Sequence, residues 1–224
     1  MTPRSGRGAD ASLRVADGET IAAQERREVV VLAECDELTI TWSRYAAGEP
    51  GTDLHVHREH TDAFYVLEGE LSIAVGPAGE RLGVPAGGFV AVPPGLAHGF
   101  ANESDGETRW LNMHAPDRGF ANYLRGLRDG TAAAFDSFDP PADGGLPTSA
   151  AIVSGPGQGE RLASGVLLKA VVPELCVAEW APDGPDPHAL PAARGVRRTF
   201  AHDIAVVDVH APDGGFADSL RALP

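Results

Sequence analysis

Gly51-Thr52-Asp53-Leu54-His55-Val56-His57-Arg58-Glu59-His60-Thr61-Asp62 and Gly87-Gly88-Phe89-Val90-Ala91-Val92-Pro93-Pro94-Gly95-Leu96-Ala97-His98-Gly99-Phe100-Ala101-Asn102 are the two stretches on which the reading of the fold turns. His55 and His57 stand two apart, so on a β-strand both imidazoles project from one face. His98 follows on what reads as another strand, and only a sheet that closes on itself brings it beside the pair. Three imidazoles and a carboxylate, here Asp62, make a donor set for one transition-metal ion. His55, His57, Asp62 and His98 are therefore the candidate metal ligands. Ligand type alone leaves Fe, Mn, Ni, Zn and Cu open.

Around these motifs the chain breaks into short strand-like pieces at 28–32, 38–44, 53–56, 63–67, 70–75, 89–92, 97–101 and 108–113. Gly and Pro punctuate them, as in Gly48-Glu49-Pro50-Gly51 and Pro93-Pro94-Gly95. Many short strands with such turns predict an all-β sandwich or barrel. Strand parity from Asp62 turns Phe64 and Val66 inward, and parity from His98 does the same for Phe100 and Asn102. These four are the expected pocket-lining residues, around a metal at the pocket floor, with plain barrel core equally consistent for Phe64 and Phe100. His60 and Glu59 lie in the turn between the two strands and are expected to be solvated there, with ligation in place of Asp62 as the alternative. The run at 28–32 reads as an edge strand that a second subunit would cover, which gives the expectation of a homodimer.

The 224 residues carry a formal charge of −14. Acidity of that size argues against nucleic acid or an anionic membrane as partner; the expected pocket suits a small-molecule substrate or ligand. Two cysteines, Cys35 and Cys176, are too few for a disulfide framework or a thiolate zinc site and are expected in the core. Residues 1–17 are polar, and no apolar run reaches membrane-spanning length, so a cytoplasmic location is expected.

Composition divides the chain into a flexible arm at 1–25, a metal-binding barrel at 26–128, a linker at 129–149 and a shortened second unit at 150–224. A helix is predicted at 120–127, where Phe120, Tyr123, Leu124 and Leu127 share a face. The second unit is a partial repeat of the first. His114-Ala115-Pro116-Asp117 recurs as His210-Ala211-Pro212-Asp213, followed in each by Gly-Phe-Ala. Glu37-Leu38-Thr39-Ile40-Thr41-Trp42 resembles Glu174-Leu175-Cys176-Val177-Ala178-Glu179-Trp180, and His188 follows it roughly as His55 follows the first. Gly95 to Ala101 aligns with Gly195 to Ala201, which sets Arg198 against His98. Such self-similarity indicates internal duplication. The second copy omits the equivalent of about residues 57–90, so it is read as lacking a metal site, unable to close a barrel and obliged to pack on the first unit. His114 could serve as a general base, but because His210 persists in that copy it is read as a structural residue at the start of the packing helix.

The two motifs resemble those of the cupin superfamily. His55-Val-His57, Asp62 and Gly69 follow the spacing of the first cupin motif, and Gly87, Pro93, Gly95, His98 and Asn102 match every fixed position of the second. The resemblance implies an all-β fold: a cupin (double-stranded β-helix or jelly-roll) barrel, plus a shortened cupin-like β unit, with short helices after each. It is good over about 26–115 and weak over 150–224, as in a bicupin with a degenerate half. Glu49 stands where the first motif has its leading glycine, and Asp62 where it has glutamate. Aspartate is one methylene shorter, so it reaches a metal only if the strand moves inward or a water bridges, and the alternative is a three-histidine site with Asp62 behind the ligands. The resemblance implies one divalent transition-metal ion as cofactor and oxidoreductase chemistry of the quercetinase or diketone dioxygenase kind. The alternatives are a non-catalytic cupin module that binds a small ligand, and a metal-dependent isomerase or decarboxylase.

Overall fold

Thr61–Glu68 is buried over nearly its whole length, because it is sandwiched between two layers. The computed structural model describes residues 10–182 and 194–223, and these form three sheets. The largest contains Glu19–Ala23 (β2), Arg27–Cys35 (β3), Leu38–Tyr45 (β4), Thr61–Glu68 (β6), Phe89–Val92 (β9), Thr108–Ala115 (β11) and Ile152–Ser154 (β12). Their spatial order is β12-β9-β6-β11-β4-β3-β2. On one face lies a four-stranded sheet of Thr52–His55 (β5), Glu70–Val75 (β7), Glu80–Pro85 (β8) and His98–Ala101 (β10), in the order β5-β10-β7-β8. On the other lies a six-stranded sheet of Asp10–Leu13 (β1), Glu160–Arg161 (β13), Leu167–Val172 (β14), Leu175–Trp180 (β15), Val196–Ala201 (β16) and Val206–Ala211 (β17). Helices Phe120–Asp129 (α1) and Phe216–Arg221 (α2) follow β11 and β17.

Period-two alternation sorts the side chains of the large sheet between these neighbours. Phe64 and Val66 of β6, Trp110 of β11 and Tyr45 of β4 face the four-stranded sheet and pack with Leu71, Ile73 and Val75. Ala63, Tyr65 and Leu67, with Leu111, Met113, Leu38 and Ile40, face the other way and pack on Leu175, Val177, Val207 and Val209 of the six-stranded sheet. The front barrel and the rear sheet therefore share one apolar interface. A polar tie crosses it. Lys169, the chain's one lysine, pairs with Glu179 at 3.0 Å and donates to the Gly87 carbonyl oxygen at 2.9 Å, while the Tyr65 hydroxyl donates to Glu179 at 2.8 Å. A buried ammonium persists only with such complete pairing.

The sequence repeat has parallels in the register. In the front unit Cys35 pairs with Leu38 and Thr39 with His114; in the rear unit Val172 pairs with Leu175 and Cys176 with His210. Both helices start at a glycine in the left-handed region, Gly119 and Gly215, after a cis Ala–Pro bond. One part of the alignment is corrected. His114 pairs with Asp62 on β6, and His210 with Arg197 on β16. So β16 occupies the place of β6, and Arg197, not Arg198, occupies the position of a front-site residue, that of Asp62. The front pair Asp62 and Asn112 corresponds to Arg197 and Asp208 behind, where the guanidinium Nε donates to Asp208 at 2.9 and 3.0 Å. His188 lies outside the described residues.

Three further expectations change. From Asp10 onward the arm expected at 1–25 is structured: β1 pairs in parallel with β16, and β2 pairs with β3. That pairing also overturns the edge-strand reading of 28–32, since β3 is bonded on both sides and β2 holds the edge. The linker at 129–149 is more than a spacer: Val56 and Phe138 form a β-bridge, and the segment packs on the histidine turn. Among the described residues no helix is long and apolar enough to cross a membrane.

Candidate metal centre

Strand β5 delivers His55 and, just past its end, His57; β6 delivers Asp62 and β10 delivers His98. His98 pairs with His55 across β5 and β10, which puts the two rings on one face with centroids 4.4 Å apart. The close approach of these strands explains Gly51, where a Cβ would lie 1.9 Å from the Phe100 carbonyl oxygen. Gly95, at φ +84°, donates its N–H to the His57 carbonyl oxygen at 2.7 Å, so the turn of the second motif is bonded to the first.

One ligand atom from each of His55, His57, Asp62 and His98 lies within 4.8 Å of the others. Each imidazole is oriented from behind. Nδ1 of His55 donates to the Asp53 carbonyl oxygen at 2.9 Å, Nδ1 of His98 to that of Leu96 at 3.1 Å, and Nδ1 of His57 to that of Asp136. A carbonyl oxygen only accepts, so each Nδ1 carries the proton and each Nε2 keeps its lone pair. In His57 and His98 that lone pair faces Asp62 Oδ2, at 3.7 and 3.1 Å. His57 Nε2 is buried and has no hydrogen-bond partner among the described residues. Lone pairs turned on a carboxylate repel unless a cation lies among them, so the residues fit a bound metal ion. Asp62 Oδ2 faces the histidines despite the short side chain, because the Asn112 amide, fixed by a second bond to the Ala63 carbonyl oxygen, donates to Oδ1.

Electrostatics agree with that donor set. Burial, and then His98, pull the pKa of His55 down to about 4, so the ring is neutral near pH 7. Burial pushes the Asp62 carboxyl upward, but the close rings of His114, His57 and His98 outweigh it and hold the group well below its usual range. Neutral imidazoles and an ionised carboxylate are the forms that ligate.

Two histidines read as bystanders belong here. His60, expected in solvent, is fully buried; its ring stacks on His57 at 4.0 Å, and burial and His57 draw its pKa down to about 4. His114 is also buried, 3.6 Å from Asp62 Oδ1 and 2.9 Å from His60 Nε2, and burial holds its pKa well below the usual range. It does stack on Phe120 of α1, as His210 stacks on Phe216 of α2, so the structural role is shared and the site contacts are particular to the front unit. Sequence reasoning missed Asp136. Its carboxylate accepts from the backbone N–H of Arg58 and Glu59 and from His60 Nδ1. No spacing rule ties a residue in that segment to the motif. Glu59 is in solvent as expected, paired with Arg118.

The histidines open onto a cavity of about 750 Å³. Its walls include Ile21, Val29, Tyr45, Phe100, Trp110 and Leu124. Of the four residues expected to line it, only Phe100 does. Phe64 and Val66 face inward but are consumed in the barrel core, and the Asn102 amide is turned away to the carbonyl oxygens of Tyr45, Ala46 and Gly106.

Residues 41–114 match the family model described as "Cupin domain". The matched residues lie in the front barrel, and the second β unit lies outside them. Among solved structures, the fold is similar to KdgF from Halomonas sp., at 17% identity over 50% of this chain and 97% of that one, with a TM-score of 0.44. It is also similar to an RmlC-like cupin from Shewanella frigidimarina (24% identity, 47% and 90% covered, TM-score 0.41) and to the polyketide cyclase RemF from Streptomyces resistomycificus (22% identity, 47% and 78% covered, TM-score 0.40). No curated protein matches the chain.

Proposed function

We propose that the front barrel is a mononuclear metal enzyme acting on a small, oxygenated, largely apolar molecule, as an oxidoreductase of the quercetinase or diketone dioxygenase kind. The supporting observation is the set of three imidazoles whose Nδ1 atoms donate to backbone carbonyl oxygens while one ligand atom of each lies within 4.8 Å of the others and of Asp62. A divalent ion bound there supplies Lewis acidity toward a substrate oxygen pair and, if redox-active, the means to use dioxygen. The residues of the chain do the rest. Tyr45, Phe100 and Trp110, mutually in contact with centroids 4.8 to 6.2 Å apart, form an aromatic wall for a planar substrate and exclude water from it. Asp62, held ionised, balances the charge of the centre. His55, in contact with the cavity, orients one oxygen of the substrate against the histidine face.

The test is the metal content of protein purified without added metal, followed by oxygen uptake on a panel of β-diketones and flavonols. Stoichiometric metal and uptake that His57→Ala abolishes are expected. Metal without uptake on any substrate favours the non-catalytic binding module, and a metal-free wild-type protein refutes the centre itself.

A further inference from the structure

Beside the first ligand set lies a second group, His57, His60 and His114, all buried, with ligand atoms again within 4.8 Å of one another. The hydrogen bonds around His60 and His114 determine which of their nitrogens carry protons. His60 Nδ1 faces Asp136 Oδ2 at 2.9 Å, and that carboxylate also takes the N–H of Arg58 and Glu59, so it is an acceptor. His114 Nε2 faces Asn112 Oδ1 at 3.1 Å. The Asn112 amide cannot be turned round, because its nitrogen already donates to Asp62 and to the Ala63 carbonyl oxygen. Both outer nitrogens therefore bear hydrogen. A neutral imidazole has only one, so both inner nitrogens, His60 Nε2 and His114 Nδ1, hold bare lone pairs that face each other at 2.9 Å.

Two buried lone pairs at that separation repel unless a metal ion or a shared proton lies between them. The spacing suits a metal: two nitrogens at right angles on bonds of about 2.05 Å lie about 2.9 Å apart. The surroundings suit one as well, since each ring is backed by an outer acceptor, a carboxylate for His60 and an amide oxygen for His114, the usual support of a ligating histidine. His57 Nε2, buried and unpartnered among the described residues, is the third donor.

We propose that His57, His60 and His114 form a second seat for a divalent transition-metal ion, beside the first and sharing His57 with it. The lone pair of His57 serves one ion at a time, so the two seats exchange a single tightly held ion. The first seat is filled by preference, because Asp62 adds a full negative charge there and the second seat offers three neutral rings. The proposal rests on the front barrel being a metal centre, and its failure is separable from the failure of that reading.

The experiment uses the full chain with His55→Ala and His98→Ala, which removes the first seat and leaves the second intact. Co2+ binding is followed by equilibrium dialysis and by the visible absorption of the bound ion, with circular dichroism to confirm folding. One equivalent is expected to remain bound, and adding His60→Gln is expected to weaken it at least tenfold and change the spectrum. If the double variant does not fold, His98→Asn alone, which keeps much of the side-chain volume, carries the same comparison with and without His60→Gln. A folded variant that binds no Co2+, or whose binding His60→Gln leaves unchanged, overturns the second seat; the pair then shares a proton. Wild-type protein that binds no Co2+ refutes the metal centre as a whole.

Discussion

Asp136→Ala separates what the 129–149 segment does for the site from what it does for the fold. The carboxylate accepts three bonds: Arg58 N–H at 3.0 Å, Glu59 N–H at 2.8 Å and His60 Nδ1 at 2.9 Å. The two backbone donors belong to exposed residues, so water replaces the lost acceptor at little cost. The His60 donor is buried, and stranding it costs about 1–3 kcal/mol of stability. The metal suffers separately, because the turn that carries His57, and the main-chain carbonyl that receives its Nδ1 proton, lose their anchor. Removing such an outer partner weakens metal binding by about 10–100-fold, equivalent to about 1.4–2.7 kcal/mol. Affinity is measured by competition with a chromogenic chelator, and stability by urea denaturation of the apo-protein. An affinity within twofold of wild type, together with the expected loss of stability, would show that the segment secures the fold and leaves His57 oriented without it. That result would refute a role for Asp136 in holding the metal ligands.

Gly51→Ala drives a methyl group into the Phe100 carbonyl and forces β5 from β10; a loss of at least about 1–3 kcal/mol is expected in denaturant titration, with weaker metal binding because His55 and His98 face each other across those strands. Arg197→Met takes the guanidinium away from the fully buried Asp208 and is expected to cost about 3–5 kcal/mol. Arg197→Met with Asp208→Leu should recover most of it, and a double variant as unstable as the single would contradict the pairing argument. Burial holds the pKa of His210 below its ordinary 6.5. The unfolded chain therefore takes up a proton near pH 6.5 that the folded chain refuses, so this stability is present above pH 6.5 and declines as pH falls toward the folded value. His210→Phe should flatten that part of the stability–pH curve, and an unchanged slope would show that the ring is not held neutral.

The sequence by itself determined the barrel and its donor residues. Period-two spacing puts His55 and His57 on one face whatever surrounds them, and the glycines and prolines of the second motif dictate the turn before His98. The repeat was also legible, because Leu38 and Leu175, or His114 and His210, hold matching register positions in the two units. Other features depended on contacts between segments far apart in the chain, which no local pattern encodes. Matching Gly95 with Gly195 paired Arg198 with His98, yet hydrogen-bond register sets Arg197 in the place of Asp62. Val66 and Phe64 obey strand parity, but whether an inward side chain fills the core or lines the cavity depends on the sheet opposite. His60 reads as a surface turn residue until Asp136, 76 residues on, closes over it. Local periodicity decides which way a side chain points; the company it finds there is decided by closure of the sheets and by the segment laid across them.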